Sequence, residues 1–295
     1  MRQGSRAKRG SDTNVAVKLP AGVIARHELG QHFLLDERIL CQQIEYAGIT
    51  SADTVLEIGA GLGNLTAILA QTSAKVVAIE ADSQFEDRLE KLRSMYPNLD
   101  LIWGDAMQVT FPEFTKAVAN LPYRVALPLV FKILDHSFHT AVLIVQVRLA
   151  RRLCARPGEP GYSRISVAAQ RVASLRFLET VKNAAFAPPP AVDSAMIRLR
   201  RTRPRFAIPS DEQFKRFLDA IFLRRTAALR DALGIFGRGP IVTAAINETP
   251  KDLLGRIVET LTPAEFGFIS CNLDKFGVIL PPISNELKRK SQKYY

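Results

Sequence analysis

The chain is poor in the side chains that build disulfide and metal sites, with three cysteines and four histidines among 295 residues. Cys41, Cys154 and Cys271 are odd in number, far apart and form no CxxC pair. That excludes a disulfide framework and points to a reducing compartment. His27, His32, His136 and His139 have no partners at ligand spacing, so no metal site is expected. No apolar run approaches the roughly 20 residues that cross a bilayer, and no charged-then-apolar leader opens the sequence. A cytoplasmic protein without a membrane partner is expected. The first residues, rich in Arg and poor in acid, have some likeness to a transit peptide, but Asp12 and the missing amphipathic pattern speak against it.

Acidic side chains are scarce in one place only. Residues 1–144 carry 14 Lys and Arg against 16 Asp and Glu, and residues 241–295 carry 7 against 6. Residues 145–240 carry 19 against 7, so the whole excess of the +11 net charge sits there. Arginine dominates it: Arg148, Arg151, Arg152, Arg156, Arg164 and Arg171, then Arg198, Arg200, Arg201, Arg203 and Arg205. The segment has too few carboxylates to pair most of these, so a polyanion surface is favoured over solvated, salt-bridged faces, with RNA or DNA the natural partner. Two short basic stretches, Arg2, Arg6, Lys8, Arg9 and Lys288, Arg289, Lys290, Lys293, lack apolar periodicity and read as disordered arms.

What is present is a core. The hydrophobic fraction of 47% is ordinary for a globular protein. From residue 54 apolar strands alternate with helical patterns. Strands are predicted at 54–58, 75–79, 99–103, 117–119 and 141–145, and helices at 64–71, 83–95 and 126–134. Ser83 is the expected N-cap of the second helix, with Glu86 completing a capping box. Continuous apolar strands separated by helices predict a parallel sheet covered on both faces, with ligands bound beyond the carboxyl ends of its strands. After Pro204 the pattern turns helical. Phe214, Phe217, Leu218, Ile221 and Phe222 share one predicted helix face, and Leu253, Leu254, Ile257, Val258 and Leu261 another. The expected division is a basic arm at 1–27, a sheet domain at 28–204, a helical domain at 205–285 and a basic tail at 286–295.

Four polar signals fall at the predicted strand ends. Glu57-Ile58-Gly59-Ala60-Gly61-Leu62-Gly63 joins the first of these strands to its helix, where glycines allow a sharp turn and free amides face a ligand. A dinucleotide loop would place its third glycine where Asn64 stands. The GxGxG spacing, with an acid two residues ahead, is the form familiar from S-adenosylmethionine enzymes, and nicotinamide is the rival cofactor. Glu80 ends the next strand, about 20 residues on, where an acid accepts both ribose hydroxyls. Asp105 follows the third strand and is suited to an adenine amine, with the Ala106 amide beside it. Asn120-Leu121-Pro122-Tyr123 follows the fourth, offering acceptors for an amine and a ring for a planar base. A bare Asn-Leu-Pro-Tyr is also an ordinary strand-to-loop turn; its place beside the other three signals favours function.

In this order the motifs resemble the small-subunit (16S-type) ribosomal RNA adenine dimethyltransferases. Leu29-Gly30-Gln31-His32-Phe33-Leu34-Leu35-Asp36 is similar to that family's entry motif. Gly161-Tyr162-Ser163-Arg164-Ile165-Ser166-Val167 and Phe186-Ala187-Pro188-Pro189-Pro190-Ala191-Val192-Asp193-Ser194 are similar to its later motifs. The likeness covers roughly residues 28–200, and the compact helical tail looks archaeal. The resemblance implies a Rossmann-like S-adenosylmethionine methyltransferase sheet with a small C-terminal helical, RNA-binding domain. It implies cofactor contacts at His32, Leu34, Gly59, Glu80, Asp105 and Asn120, and the expected cofactor site also takes in Gln31, Glu57, Gly61, Gly63 and Ala106. It implies transfer of methyl groups to two adjacent adenosines near the 3' end of small-subunit rRNA, in the immature subunit. A monomer is expected, because no extra apolar stripe is evident. The chain departs from the family after Tyr123, where Arg124-Val125-Ala126-Leu127-Pro128 replaces a Gln and small hydroxylated residues. It departs again after Gln146, where an acid-aromatic pair is missing.

The adenine amine is a weak nucleophile because its lone pair is delocalised, so orientation and polarisation are what an enzyme must supply. The expected arrangement has the Asn120 side-chain oxygen and the Leu121 carbonyl accepting the two amine hydrogens, and Pro122 fixing the turn. Tyr123 would stack on the flipped base. Phe186 would cover its other face, or else serve as a hydrophobic plug beside a proline turn. Two rival readings stay open at this point. One is methylation of adenine in DNA or large-subunit RNA; the other is a ribosome-assembly factor whose binding outweighs its chemistry.

Overall fold

The computed structural model describes residues 19–26 and 30–280. The basic arms at residues 1–18 and 281–295, with His27 and Leu29, lie outside the described residues. The chain runs β1 (Phe33–Leu34), α1 (Glu37–Ala47), β2 (Thr54–Ile58), α2 (Asn64–Thr72), β3 (Lys75–Glu80), α3 (Glu86–Met95), β4 (Leu99–Trp103), β5 (Lys116–Asn120), α4 (Ala126–Leu134) and β6 (Thr140–Gln146). It continues with α5 (Val147–Cys154), α6 (Arg164–Val172), β7 (Ala173–Val181), β8 (Phe186–Ala187) and β9 (Ser194–Arg201). Five helices follow: α7 (Asp211–Ile221), α8 (Leu229–Leu233), α9 (Pro240–Asn247), α10 (Lys251–Leu254) and α11 (Pro263–Lys275).

Seven strands form one sheet in the order β4-β3-β2-β5-β6-β9-β7. β2 to β6 are mutually parallel, as the continuous apolar strands predict, because helices cover both faces. Leu56, Ile58, Val77 and Ile79 enter one core cluster with α4, α5 and α6. Val55, Val76 and Ala78 enter the other with α1, α2 and α3. The wholly parallel sheet expected from sequence is corrected at its far side. β9 inserts antiparallel between β6 and β7. β9 was hidden because its period-two pattern, Ala195, Ile197 and Leu199 alternating with Met196, Arg198 and Arg200, lies inside a run of arginines.

At the amino ends of the strands, the Lys116 ammonium pairs with Asp53 at 2.9 Å, both side chains nearly buried. Asp53 also accepts from Thr115 Oγ1 at 2.9 Å, which ties β2 to β5. α1 is capped by Asp36, which accepts from the Arg38 amide, and ends on Gly48 at φ 61°. The expected Ser83 capping box does not form. Asp82 caps a short 3-10 turn at Ser83–Phe85, and α3 begins only at Glu86. Residues 19–26, expected in the arm, belong to the fold: Leu19 and Val23 pack on the α1–α3 core, and Arg26 pairs with the buried Asp82 at 3.2 Å.

The C-terminal helices enclose a third core. Its boundary is not at Pro204, because Ala155, Tyr162 and Val167 are members. Tyr162 is fully buried and its hydroxyl donates to the Leu261 carbonyl at 2.9 Å. The Gly161–Val167 segment is therefore a mechanical joint between sheet and helices. The single helix expected across 253–261 is replaced by one turn, α10, and a 3-10 turn at Val258–Thr260. Backbone bonds from Leu229 to Arg256 and from Val258 to Ala227 take the groups that a continuous helix would use.

Tyr162→Phe removes one donor and leaves the Leu261 carbonyl buried and unpaired. Denaturant unfolding should show a loss of about 1–3 kcal/mol.

Candidate active site

The carboxyl ends of β2, β3, β4 and β5 surround a cavity of about 450 Å³. Gln31, His32, Leu34, Glu57, Gly59, Gly61, Glu80, Asp105, Ala106, Asn120, Leu121, Pro122, Tyr123 and Phe186 all line it. Of the residues singled out in the sequence, Gly63 alone stands outside. It caps α2 at φ 76°, a left-handed conformation that favours glycine, and a Cβ there would press on the Leu92 side chain of α3.

The loop after β2 is shaped by the acid at the end of β3. Glu80 Oε2 accepts from the Gly61 amide at 2.7 Å, and Oε1 accepts from Ala81 and Asp82 amides at 2.9 and 2.8 Å. Gly61 has φ 50°, and the Phe33 ring would lie 3.2 Å from any Cβ placed there. Burial pushes the Glu80 carboxyl up, and the three amides pull it back. Glu57, on β2 beneath the loop, is almost fully buried, and its Oε2 has no hydrogen-bond partner. Burial, with the nearby Glu80 charge adding to it and Thr66 opposing, raises its carboxyl from 4.5 to about 8.

At the next strand end Asp105 is exposed and Oδ1 accepts from the Met107 amide at 2.8 Å, which folds the loop back. Lys132 reaches from the apolar helix α4 to donate to the Ala106 carbonyl at 2.6 Å and to those of Met107 and Val109. Its place among Val130, Phe131 and Ile133 was the available sign of a buried task.

β5 delivers Asn120. The Leu121 amide donates to the Ile144 carbonyl at 3.0 Å and prolongs the β5–β6 ladder by one bond. Pro122 has no amide and ends it. Asn120 Oδ1 is buried and has no partner. The fully buried Gln43 of α1 donates to the Ala119 and Val142 carbonyls, both at 3.1 Å, and so holds β5 and β6 beside Asn120. Its i+3 spacing from Leu40 placed it on the buried stripe.

The two-stranded β1–β8 ladder, not foreseen from the sequence, closes the cavity by pairing Leu34 with Phe186. The Tyr123 hydroxyl bonds Ser194 Oγ of β9, which fixes the ring. The His32 ring lies 5.5 Å from that of Tyr123, and its Nδ1 bonds the Pro188 carbonyl at 2.8 Å. Burial raises the Tyr123 hydroxyl above its usual range, so it stays protonated. Gln31 spends its amide on Asp82, at 2.8 Å, and on the Arg26 amide. It shapes the wall.

This sheet order, with one antiparallel strand beside the last, and a cavity over the β2 and β3 ends define the methyltransferase class. A crystal structure of a dimethyladenosine transferase from Plasmodium falciparum matches 85% of this chain and 100% of that one, at TM-score 0.73 and 28% identity. The 23S rRNA methyltransferase ErmE matches 82% and 99%, at TM-score 0.64 and 27% identity. A family model described as ribosomal RNA adenine dimethylase matches residues 23–266. A protein of Methanococcus maripaludis named "Probable ribosomal RNA small subunit methyltransferase A" is 37% identical over 82% of this chain and 89% of its own length. One of the same name from Thermococcus gammatolerans is 42% identical over 70% and 72%. The chain belongs to the ribosomal RNA adenine dimethylase family.

The raised Glu57 pKa gives a pH prediction. In the unfolded chain Glu57 loses its proton near 4.5 and in the folded one near 8. Its contribution to stability is therefore complete below about 4.5 and lost as pH rises to about 8. Between those limits, Glu57→Gln should gain on the wild type by up to about 4 kcal/mol. Urea unfolding of the cofactor-free pair across this range checks it.

Proposed function

We propose that this protein transfers methyl groups from S-adenosylmethionine to the exocyclic amines of two adjacent adenosines near the 3' end of small-subunit rRNA during ribosome biogenesis. The observation that carries the reading is the buried, partnerless Asn120 Oδ1 on the cavity wall, beside a tethered tyrosine ring. An unpaired buried acceptor costs about 1–3 kcal/mol. An amine hydrogen arriving there removes that cost.

The residues present fit the cofactor. Positive-φ glycines at Gly59 and Gly61 keep side chains out of the loop. The free Glu57 Oε2 offers an acceptor to an ammonium group, and Glu80 retains lone pairs for ribose hydroxyls. Asp105 and the Ala106 amide would take the adenine edge, with Leu34 and Gln31 on the opposite wall. The cofactor supplies an electrophilic methyl group on sulfonium.

The protein's own part is positioning. Asn120 Oδ1 and the Leu121 carbonyl accept the two amine hydrogens, drawing the nitrogen towards tetrahedral geometry with its lone pair aimed into the cavity. The Tyr123 ring stacks on the flipped base, a contact worth about 1–3 kcal/mol. Phe186 is only 3% exposed and reaches the cavity from β8, so it backs the base rather than sandwiching it in the open. The helical C-terminal region and the arginine-rich surface hold the RNA. The protein acts as a monomer in the cytoplasm on the immature small subunit.

Asn120→Ala should lower methyl transfer about a hundred- to a thousandfold while cofactor affinity falls only about tenfold or less. The check is labelled-methyl uptake by immature small subunits, with mass spectrometry of the RNA, and calorimetry for the cofactor. Full activity in Asn120→Ala sinks the mechanism. Methyl uptake by large-subunit RNA or DNA instead sinks the target. Normal subunit maturation by the inactive variant would assign the main role to assembly.

A further inference from the structure

β9 and β7 present different residues on their two faces. Ala195, Ile197 and Leu199 enter the core on the side covered by α5 and α6. On the other side α1 packs against β5, β6 and the near part of β9. Beyond it stand three arginines. Arg176 of β7 lies directly opposite Arg198 of β9, and Arg200 is two residues further along the same face. Arg176 and Arg200 are exposed and Arg198 is half-buried.

Like charges directly opposite on neighbouring strands destabilise a sheet. Burial and the charges of Arg200 and Arg176 depress the Arg198 pKa. Among the described residues none of the three forms an ion pair or a side-chain hydrogen bond. Other cations of this segment do find carboxylates: Arg164 pairs with Asp219, Arg171 with Asp211, Lys182 with Asp193 and Arg225 with Glu259. Glu179, opposite Met196 on the same face, pairs with none of the three. Guanidinium forks crowded on a rigid strand pair and left unneutralised suit closely spaced anionic oxygens.

We infer that the Arg176–Arg198–Arg200 face of β7 and β9 binds the phosphate backbone of structured RNA, as an anchor separate from the base pocket. The choice of RNA rests on the function proposed above. Arg200 is level with Thr140 on β6, whereas Asn120 is level with Ile144. Those four residues put the anchor about 13 Å back along the strands from the reaction centre, and β9 and β7 displace it sideways. Phosphate contacts position a nucleic acid without reading sequence. The face thus fixes the RNA while the target base is turned into the cavity.

The test is the full-length triple variant Arg176→Gln/Arg198→Gln/Arg200→Gln, with binding to a small-subunit rRNA fragment measured by anisotropy between about 50 and about 200 mM salt. The expected result is a slope of log affinity against log salt shallower by about 2–3. KM for RNA should rise with kcat unchanged, and the melting temperature should not fall. If the triple variant does not fold, Arg176→Gln alone should lower the slope by about 1. An unchanged slope in a folded variant overturns the inference, as does a wild type that binds no RNA. Loss of binding to anionic phospholipid vesicles with RNA binding intact also overturns it, and assigns the face to lipid. A shallower slope together with a wild type that fails to methylate the RNA would leave the anchor standing and remove the proposed reaction.

Discussion

The site depends on how β5 ends. As an interior strand it is paired to β2 on one side and β6 on the other. The ladder runs one bond past Asn120 and stops at Pro122. Two bonds from the buried Gln43 hold the neighbouring carbonyls of β5 and β6. The Asn120 side chain is therefore carried by a backbone held from both sides and from α1. In the proposed reaction this rigidity matters more than any acid or base, because a reactive methyl donor needs its acceptor aimed.

The second constraint is electrostatic. Two carboxyls, Glu57 and Glu80, share one glycine loop, and both are raised by burial. Glu80 is steadied by three amides, whereas Glu57 keeps an oxygen with no partner. One acid thus shapes the loop, and the other, in the proposed function, meets the cofactor's ammonium group. On the far side of the cavity, β1 and β8 pair Leu34 with Phe186, and His32 just before β1 lies against Tyr123, whose hydroxyl is tied to Ser194. The walls come from parts of the chain more than 150 residues apart, His32 and Pro188 being one joined pair.

The parallel half of the sheet was legible because covered strands carry unbroken apolar runs, and its polar ends mark themselves. Glu57, Glu80, Asp105 and Asn120 stand at or beside those ends and line the cavity. Gly63 closes the loop as the N-cap of α2 in a left-handed conformation, a backbone role beside the one expected for it. In β9 the alternation of apolar residues is masked by Arg198, Arg200 and Arg201. Gln43, Lys132 and Ser194 act through contacts distant in sequence, which local pattern does not reveal. The helix expected at 253–261 failed because the backbone of Arg256 and Ile257 pairs with residues 228 and 229. A 3.6-residue period cannot report such a tertiary partner.

The central claim is that Asn120 Oδ1 receives the amine of a target adenine. A crystal structure of the protein with S-adenosylhomocysteine and an adenosine-containing oligonucleotide tests it most directly. The account predicts the adenine amine nitrogen about 2.7–3.2 Å from Asn120 Oδ1, with the Tyr123 ring stacked on the base. A base bound elsewhere, or an Asn120 oxygen turned to a protein partner while the base occupies the cavity, would contradict it.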